Sequence, residues 1–241
     1  MGSMRSPHTQ PNCSCIIPFY NEGERILDVL EVVTQVKGLS QIICVDDGSE
    51  DNGSVLARRC FPQVTVVELP RNRGKAETIK EGVRLVKGGY VFLLDADLRS
   101  LEARDISAAI ARIVSDPGID MVVLRRLGAP HCWLSRGDIL FSGERVLRTK
   151  DLIEILYANP EKYQLEIAIN KYMMDHHKLV YWMSSSARNT YKMEKSGLQA
   201  GLAQEIAMIK DVMSYHGIGA YVEQFLFFAK ERVPNVQRYA P

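Results

Sequence analysis

The chain alternates short β-forming runs with helical stretches over its first half, and this alternation constrains the fold most strongly. The runs typical of strands are Cys13 to Ile17, Ile42 to Asp46, Val64 to Leu69, Tyr90 to Leu94 and Ile119 to Leu124. Residues 24–37 and 75–87 carry apolar side chains at helical spacing between these runs. Strands separated by helices form crossover units, so the sequence predicts an α/β fold with a mainly parallel sheet and helices on both faces.

Two carboxylates, Asp95 and Asp97, follow the apolar run that starts at Val91. If the strand continues through them, both point to the same side. Such a pair repels and loses hydration unless a divalent cation or a cationic partner lies between the two groups. The pattern predicts Mg²⁺ or Mn²⁺ carrying a phosphate, and a solvated pair of strand-end charges is the alternative.

Polar loops follow four of the predicted strands, in residues 18–22, 46–49, 71–75 and 95–98. Open α/β sheets bind ligands beyond the carboxyl ends of their strands. The sequence therefore predicts a ligand site at one rim of the sheet.

Composition places the chain among ordinary globular proteins. Its 241 residues are 46% hydrophobic and 24% charged, with a net charge of +1. That length suits one large domain or one domain with a small appendage. The near-neutral charge argues against a protein that grips nucleic acid by bulk electrostatics.

Targeting signals and disulfides are not expected. The five cysteines are odd in number and lack zinc-site spacing, so we expect small buried residues of a reducing compartment. Residues 1–12 are polar and resemble a disordered, tag-derived start without a signal-peptide core. No apolar run is long enough to span a membrane, and the prediction is a cytoplasmic protein, with peripheral membrane contact left open.

The second half is less regular. We predict a long loop or lid over residues 126–143, helices over 151–157, 164–175 and 194–215, and a strand over 178–184. The apolar tail, residues 221–232, has three alternative roles: contact with a membrane interface, a homodimer face, or packing on its own domain. The predicted units are 13–125 for nucleotide-sugar binding, 126–193 for the acceptor with its lid, and 194–241 as amphipathic helices.

Taken in order, the loops resemble the nucleotide-sugar half of family 2 glycosyltransferases, which have the GT-A fold. The segments that carry the resemblance are Ile17 to Glu22, Val45 to Ser49, Asn72 to Lys75, Asp95 to Asp97 and Ser142 to Arg145. The resemblance extends over about residues 13–155. Within the family, the chain resembles polyprenyl-phosphate sugar synthases and their soluble bacterial relatives. It implies a Rossmann-like mainly parallel sheet and a C-terminal acceptor-side helical region.

The resemblance implies a metal-dependent, inverting enzyme that takes its sugar from a UDP- or GDP-linked donor. It places the donor on Pro18, Tyr20, Asn21, Glu22, Asp46, Asp47, Arg73, Lys75, Asp95 and Ala96. Asp97, with Asp95, would hold the metal that neutralises the leaving diphosphate. Local turn bonds for Asp46 and Asp47, a helix-start role for Asn21 and Glu22, and a solvated charge for Lys75 are the alternatives.

On the acceptor side, the resemblance implies either a polyprenyl phosphate or a small hydroxyl or phosphate acceptor. Arg145, Arg148 and Arg136 are the candidates to receive an acceptor phosphate, since an arginine fork suits that group. Glu166 lies in an apolar helical start and is the first candidate for the base that would deprotonate a hydroxyl, with Asp138 as the second. Pairing with a nearby arginine and a place beside the metal are the alternative roles for Glu166.

One departure from the resemblance concerns the metal. Related sequences carry a metal-binding His after the strand at residues 178–184, whereas this chain reads Ser184 to Tyr191 without a His. Asn189 is the candidate to supply an oxygen instead.

Two other functions compete with a glycosyltransferase. A sugar nucleotidylyltransferase would need a basic, glycine-rich loop after the first strand, where this chain has Pro18 to Glu22. A nucleotide-sugar-binding protein with a degenerate active site would explain the absent His, but the intact Asp95 and Asp97 argue for catalysis.

Overall fold

The structure is a computed structural model that describes residues 12–126, 136–158, 164–189, 219 and 222–233. Its strands are β1 (Cys13–Phe19), β2 (Leu39–Asp46), β3 (Thr65–Glu68), β4 (Tyr90–Leu93), β5 (Leu98–Arg99), β6 (Met121–Arg126), β7 (Arg145–Arg148), β8 (Val180–Ser185) and β9 (Arg188–Asn189). Its helices are α1 (Arg25–Val33), α2 (Gly53–Cys60), α3 (Lys75–Val83), α4 (Ala103–Ser115), α5 (Gly137–Leu140), α6 (Thr149–Tyr157) and α7 (Gln164–Asp175).

Seven of the described strands form one sheet in the order β3-β2-β1-β4-β7-β6-β8. Strands β3, β2, β1 and β4 are parallel, with Phe19 beside Asp46 and Asp46 beside Glu68. The carboxyl ends of these strands therefore meet at one edge, and the predicted α/β fold with a mainly parallel sheet is confirmed.

Strand β7 was not predicted, and it makes the sheet mixed. It lies antiparallel between β4 and β6, pairing Leu93 with Arg145 and Tyr90 with Arg148. Its short apolar centre is flanked by arginines, so the sequence pattern resembles a basic loop. Strand β6 belongs to the same sheet, so the predicted unit boundary between residues 125 and 126 falls within one strand.

Two hydrophobic clusters cover the faces of the sheet. Alternate residues of β1 point to opposite faces, so Cys15 and Ile17 join one cluster while Ile16 joins the other. Helices α1 and α4 cover the first cluster, and α3, α6 and α7 cover the second. Each fully buried side chain, such as Phe92, contributes about 1.5–3 kcal/mol through removal from water.

Of the five cysteines, three follow the sequence prediction, one does not, and Cys132 lies outside the described residues. Cys13, Cys15 and Cys44 are buried free thiols, and burial raises the pKa of Cys13 and of Cys44 to about 12. They act as small apolar core residues. Cys60, at the end of α2, is exposed instead.

The C-terminal predictions are only partly covered. The predicted helix over 194–215 lies outside the described residues, while residues 222–227 of the tail are helical. Within the described ranges, every helix is too short or too polar to cross a membrane. The expected homodimer and membrane-surface contact stay predictions.

Candidate active site

A cleft of about 370 Å³ opens where the parallel strands end. The end of β1, the loop after β2, the start of α3 and the turn after β4 form its walls. Most residues predicted for donor or metal line it: Pro18, Tyr20, Glu22, Asp47, Lys75, Asp95, Ala96 and Asp97. The crossover topology thus brings together side chains from four separate segments.

The ammonium of Lys75, which lines this cleft, lies between two carboxylates. Its Nζ lies 2.5 Å from Asp95 Oδ1 and 2.7 Å from Glu166 Oε1. Burial alone would lower the pKa of Lys75, but the charges of Asp95 and Glu166 outweigh it and raise that pKa above its usual value. Lys75 is therefore a fixed cation that links the donor side of the cleft to α7.

Asp97 and Glu22 hold a surplus of negative charge. Burial and the neighbouring charge of Asp95 raise the pKa of Asp97. Burial also raises the pKa of Glu22, which Arg25 lowers and Asp97 raises further. Glu22 Oε2 is buried, 3.1 Å from Arg25 Nε, and accepts no hydrogen bond from the described residues. Such a region favours the arrival of a cation.

The two aspartates lie beyond the strand, which corrects the sequence expectation. Strand β4 ends at Leu93, and Asp95 and Asp97 belong to the turn that follows. No group of three or more His, Cys, Asp or Glu side chains suited to a metal occurs in the described parts of the chain. Mg²⁺ is commonly held by one or two carboxylates together with substrate phosphates and water, and the carboxylates of Asp97 and Asp95 fit that kind of site.

Asp46 and Asp47 both bind backbone amides. Asp46 Oδ1 accepts from Ser49 N at 2.8 Å, which is the local turn role considered as an alternative. Asp47 accepts from Arg73 N at 2.7 Å and from Gly74 N at 2.8 Å. Asp47 thereby holds the loop that leads into α3 and directs Lys75 into the cleft.

Asn21 and Arg73 bind the protein instead of lining the cleft. Asn21 has a φ of 54°, and its side-chain oxygen accepts from Glu50 N at 2.9 Å. The guanidinium of Arg73 lies 2.8 Å from Glu77 and 3.6 Å from Glu81, on the exposed face of α3. Neither side chain is among those lining the cleft, and their predicted donor contacts stay predictions.

Arg145 is completely buried, which differs from the open phosphate receptor expected. Its Nε donates to Ser142 O at 3.0 Å and its Nη1 to Asn170 Oδ1 at 3.0 Å. Burial lowers the pKa of Arg145, while Glu166 raises it. The Arg145 guanidinium thus binds Ser142 and Asn170 inside the protein.

Arg148 and Arg136 also face protein groups. Because β7 runs antiparallel to β4, Arg148 lies beside Tyr90, at the opposite edge of the sheet from the cleft. Its Nε donates to Asp120 at 3.1 Å. Arg136 donates to the carbonyls of Phe225 at 2.6 Å and Phe228 at 2.7 Å. Neither arginine lines the cleft, and the acceptor-binding role expected for them stays a prediction.

Asp138 and Asn189 are the remaining candidates. Asp138 is buried and forms an ion pair with Arg125, so it is not an open base. The backbone of Asn189 pairs with Leu98, but its side chain lies outside what the structure describes. Its proposed contribution to a metal site stays a prediction.

Sequence reasoning missed a buried pair beside Asp95. Arg126 Nε lies 3.3 Å from Glu144 Oε2, and the Glu144 side chain is fully buried. Burial would raise the pKa of Asp95, but Lys75 and then Arg126 lower it below its usual value. The signal for Arg126 was its position at the carboxyl end of an apolar strand.

Gly143 packs directly against the carboxylate of Asp95. A Cβ at position 143 would lie 2.6 Å from Asp95 Cγ, closer than atoms can approach. We expect Gly143→Ala to displace this carboxylate from Lys75 and lower the free energy of unfolding in urea by about 1–3 kcal/mol. Gly89→Ala is the control, because a Cβ there meets nothing within 4 Å. Equal losses for both variants would contradict this packing.

Comparison with known proteins gives consistent sequence matches. The model of the family described as "Glycosyl transferase family 2" matches residues 14–174. The chain is 35% identical over 131 residues to undecaprenyl-phosphate 4-deoxy-4-formamido-L-arabinose transferase of Serratia proteamaculans, covering 51% of this chain and 39% of that protein. It is 37% identical over 93 residues to a glycosyltransferase of Synechocystis sp., covering 36% and 29%. The chain thus spans two fifths or less of these curated relatives.

Solved structures show the same fold at low identity. Glucosyl-3-phosphoglycerate synthase from Mycobacterium tuberculosis, with Mn²⁺, UDP-glucose and phosphoglyceric acid, matches with a TM-score of 0.66 and 17% identity. The match covers 88% of this chain and 80% of that one. The same synthase with Mg²⁺ and UDP matches with a TM-score of 0.65 and 19% identity, covering 83% and 79%.

Proposed function

The chain belongs to glycosyl transferase family 2 and has the GT-A fold, and from this premise we propose that it transfers a sugar from a nucleoside diphosphate to an acceptor hydroxyl. The transfer is metal-dependent and inverts the anomeric carbon. The observation that carries the proposal is the cleft lined by Asp97, Asp95 and Lys75, with Glu166 paired to Lys75 beside it. Carboxylates for a metal, a fixed cation and a candidate base lie in one place.

The donor side of the proposal rests on the cleft walls. Pro18, Tyr20 and Glu22 form one wall and Asp47 another, so the nucleoside would lie between the ends of β1 and β2. Its diphosphate would then extend toward Asp97 and Lys75. A divalent cation held by Asp97 and Asp95 would neutralise the charge that develops on the diphosphate as its bond to the sugar breaks. Mg²⁺ and Mn²⁺ both accompany UDP in the structural neighbours.

The reaction is a direct displacement. The acceptor oxygen bonds to the anomeric carbon, the bond from that carbon to the diphosphate oxygen breaks, and Glu166 takes the hydroxyl proton. Attack opposite the leaving group inverts the configuration. Glu166 is the better candidate because its Oε1 lies 2.7 Å from Lys75, which lines the cleft, whereas Asp138 pairs with Arg125, which is not among the residues lining it.

A phosphate acceptor is the second candidate, because the Serratia relative is named an undecaprenyl-phosphate transferase. A phosphate oxygen needs no strong base. However, Arg145, Arg148 and Arg136 all bind protein groups. The described geometry thus favours the hydroxyl.

Replacing Glu166 with glutamine separates the two acceptors. For a hydroxyl acceptor we expect Glu166→Gln to lower the rate of transfer by about 10²- to 10⁴-fold, since the proton loses its receiver. The dissociation constant of the donor should change less than about twofold, because Glu166 is not among the residues that form the nucleoside walls of the cleft. Rates are measured by nucleoside diphosphate release and donor affinity by calorimetry.

Asp175→Asn is the matched control, because Asp175 lies on the same helix and pairs only at the surface with Lys171. Near-normal turnover of Glu166→Gln would remove Glu166 from the role of base. Full turnover with a phosphate acceptor alone would assign the second candidate.

A further inference from the structure

Residues 222–233 contact the rest of the protein at two places, the hydrophobic core and the edge of β8. The helix at 222–227 leads to Phe228 and Ala229, which are buried in the cluster under α6 and α7. The chain then runs along the edge of β8, where Trp182 N donates to Glu231 O at 3.2 Å and Val233 N donates to Trp182 O at 3.0 Å. This segment, called the C-terminal strut below, closes the side of the acceptor half.

Arg136, the residue immediately before α5, forms hydrogen bonds with the strut. Its guanidinium donates to the carbonyls of Phe225, Phe228 and Ala229 at 2.6, 2.7 and 3.0 Å. Carbonyls at the end of a helix lack partners within that helix, so a guanidinium satisfies them and favours the negative end of the helix dipole. The strut is therefore held at its helix end by a residue 89 to 93 positions away.

Buried hydrogen bonds connect the strut to α7 and to Arg145. Gln224 is 2% exposed; its Oε1 accepts from Asn170 Nδ2 at 3.2 Å, and its Nε2 donates to Ile167 O at 3.5 Å. Asn170 Oδ1 in turn accepts from Arg145 Nη1 at 3.0 Å. Glu166 precedes Ile167 in the chain and lies four positions before Asn170, on the same face of α7.

We propose that Gln224, supported by Arg136, is a positioning residue that fixes the first turn of α7 and so holds Glu166 against Lys75. An apolar residue at position 224 would pack equally well without the cost of burying an amide. The amide gains two specific partners on α7, one beside Glu166 and one a turn later. A small displacement of a catalytic group is costly, since about 1 Å can lower a rate by roughly 10²-fold.

This inference rests on the proposed function, and the test has one part that does not need activity. Gln224→Met keeps the length of the side chain and removes both hydrogen bonds. We expect kcat to fall about tenfold or more, with less than about a twofold change in donor affinity. In the Glu166→Gln background the same substitution should change kcat by less than about twofold, because its effect passes through Glu166.

The measurement that does not depend on enzyme activity is a double-mutant cycle of unfolding in urea. The shifts in unfolding midpoint of Gln224→Met and Glu166→Gln should be non-additive, as expected for groups that share one network. Glu223→Gln, an exposed neighbour on the same helix, is the control and should leave rate and midpoint unchanged. If Gln224→Met does not fold, Arg136→Met replaces it with the same expectations.

The outcomes are distinguishable. A wild-type chain that transfers no sugar overturns the proposed function, while non-additive midpoints still support the positioning role. The positioning role is overturned if Gln224→Met has the wild-type kcat. It is also overturned if Gln224→Met lowers kcat equally in the wild-type and Glu166→Gln backgrounds. Additive midpoints also overturn it.

Discussion

Asp97→Asn is expected to abolish metal-dependent donor binding while leaving the fold as stable as the wild type or more stable. The amide keeps the shape of the side chain but loses the charge that would hold a divalent cation, so transfer should fall by a factor on the order of 10³. Stability should not suffer, because burial and the neighbouring charge of Asp95 make the Asp97 carboxylate unfavourable in the folded chain.

The pH dependence follows from the direction of this shift. A carboxyl group whose pKa is raised in the folded state binds protons more readily folded than unfolded, so its contribution to stability is lost as pH rises through the raised pKa. Asp97→Asn has no carboxyl group to ionise at this position and does not lose stability in this way. The difference in melting temperature between Asp97→Asn and the wild type should therefore grow from pH 4 to pH 7. Asp28→Asn, an exposed aspartate on α1, is the control. A variant that binds donor and metal normally, or is less stable at pH 7, would contradict this account.

Lys75→Met is expected to destabilise the fold and to stop transfer. The substitution leaves Asp95 and Glu166 facing each other without the ammonium that lies 2.5 and 2.7 Å from them. Because the cleft admits some solvent, we expect the free energy of unfolding in urea to fall by about 2–3 kcal/mol near neutral pH, less than for a fully buried pair. The raised pKa of Lys75 means that its contribution is fully present at pH 7 and is lost only in strong alkali.

Two further measurements test the cause of this loss. Lys80→Met is the control on the same helix, since Lys80 lies outside the cleft, 3.3 Å from Glu77 and over the ring of Tyr157. Mn²⁺ should stabilise Lys75→Met more than the wild type, because a cation replaces the missing ammonium between the carboxylates. Equal losses for both lysines would show that Lys75 acts as an ordinary surface charge.

The elements that the sequence predicted well are those in which local pattern and burial agree. Strand β1 alternates between two buried faces, and α7 has the bounds predicted from its apolar spacing. Helix α2 was missed because Gly53 to Cys60 contains few apolar residues, and only Gly53, Ser54 and Ala57 are buried. Strand β7 was missed because Arg145 places a charge where a central strand normally has an apolar residue.

The candidate active site was likewise predicted only in part. Loop order placed Asp95, Asp97 and Lys75 in one cleft, because the carboxyl ends of parallel strands share an edge. The partner of Lys75 could not be predicted, since Glu166 lies 91 positions away. Nor could the roles of Arg145 and Arg136, because a sequence shows that an arginine is present but not which carbonyls it binds.

We propose that the cleft binds a nucleoside diphosphate together with a divalent metal. The most direct test is the melting temperature of the wild-type chain with UDP or GDP, each with and without Mn²⁺. Ligand at about 100 times its dissociation constant adds about 2.7 kcal/mol. We predict that one nucleotide raises the melting temperature by roughly 5–10 °C only when Mn²⁺ is present, and that Asp97→Asn loses this rise. No rise with either nucleotide in Mn²⁺, or the same rise in Asp97→Asn, would contradict the claim.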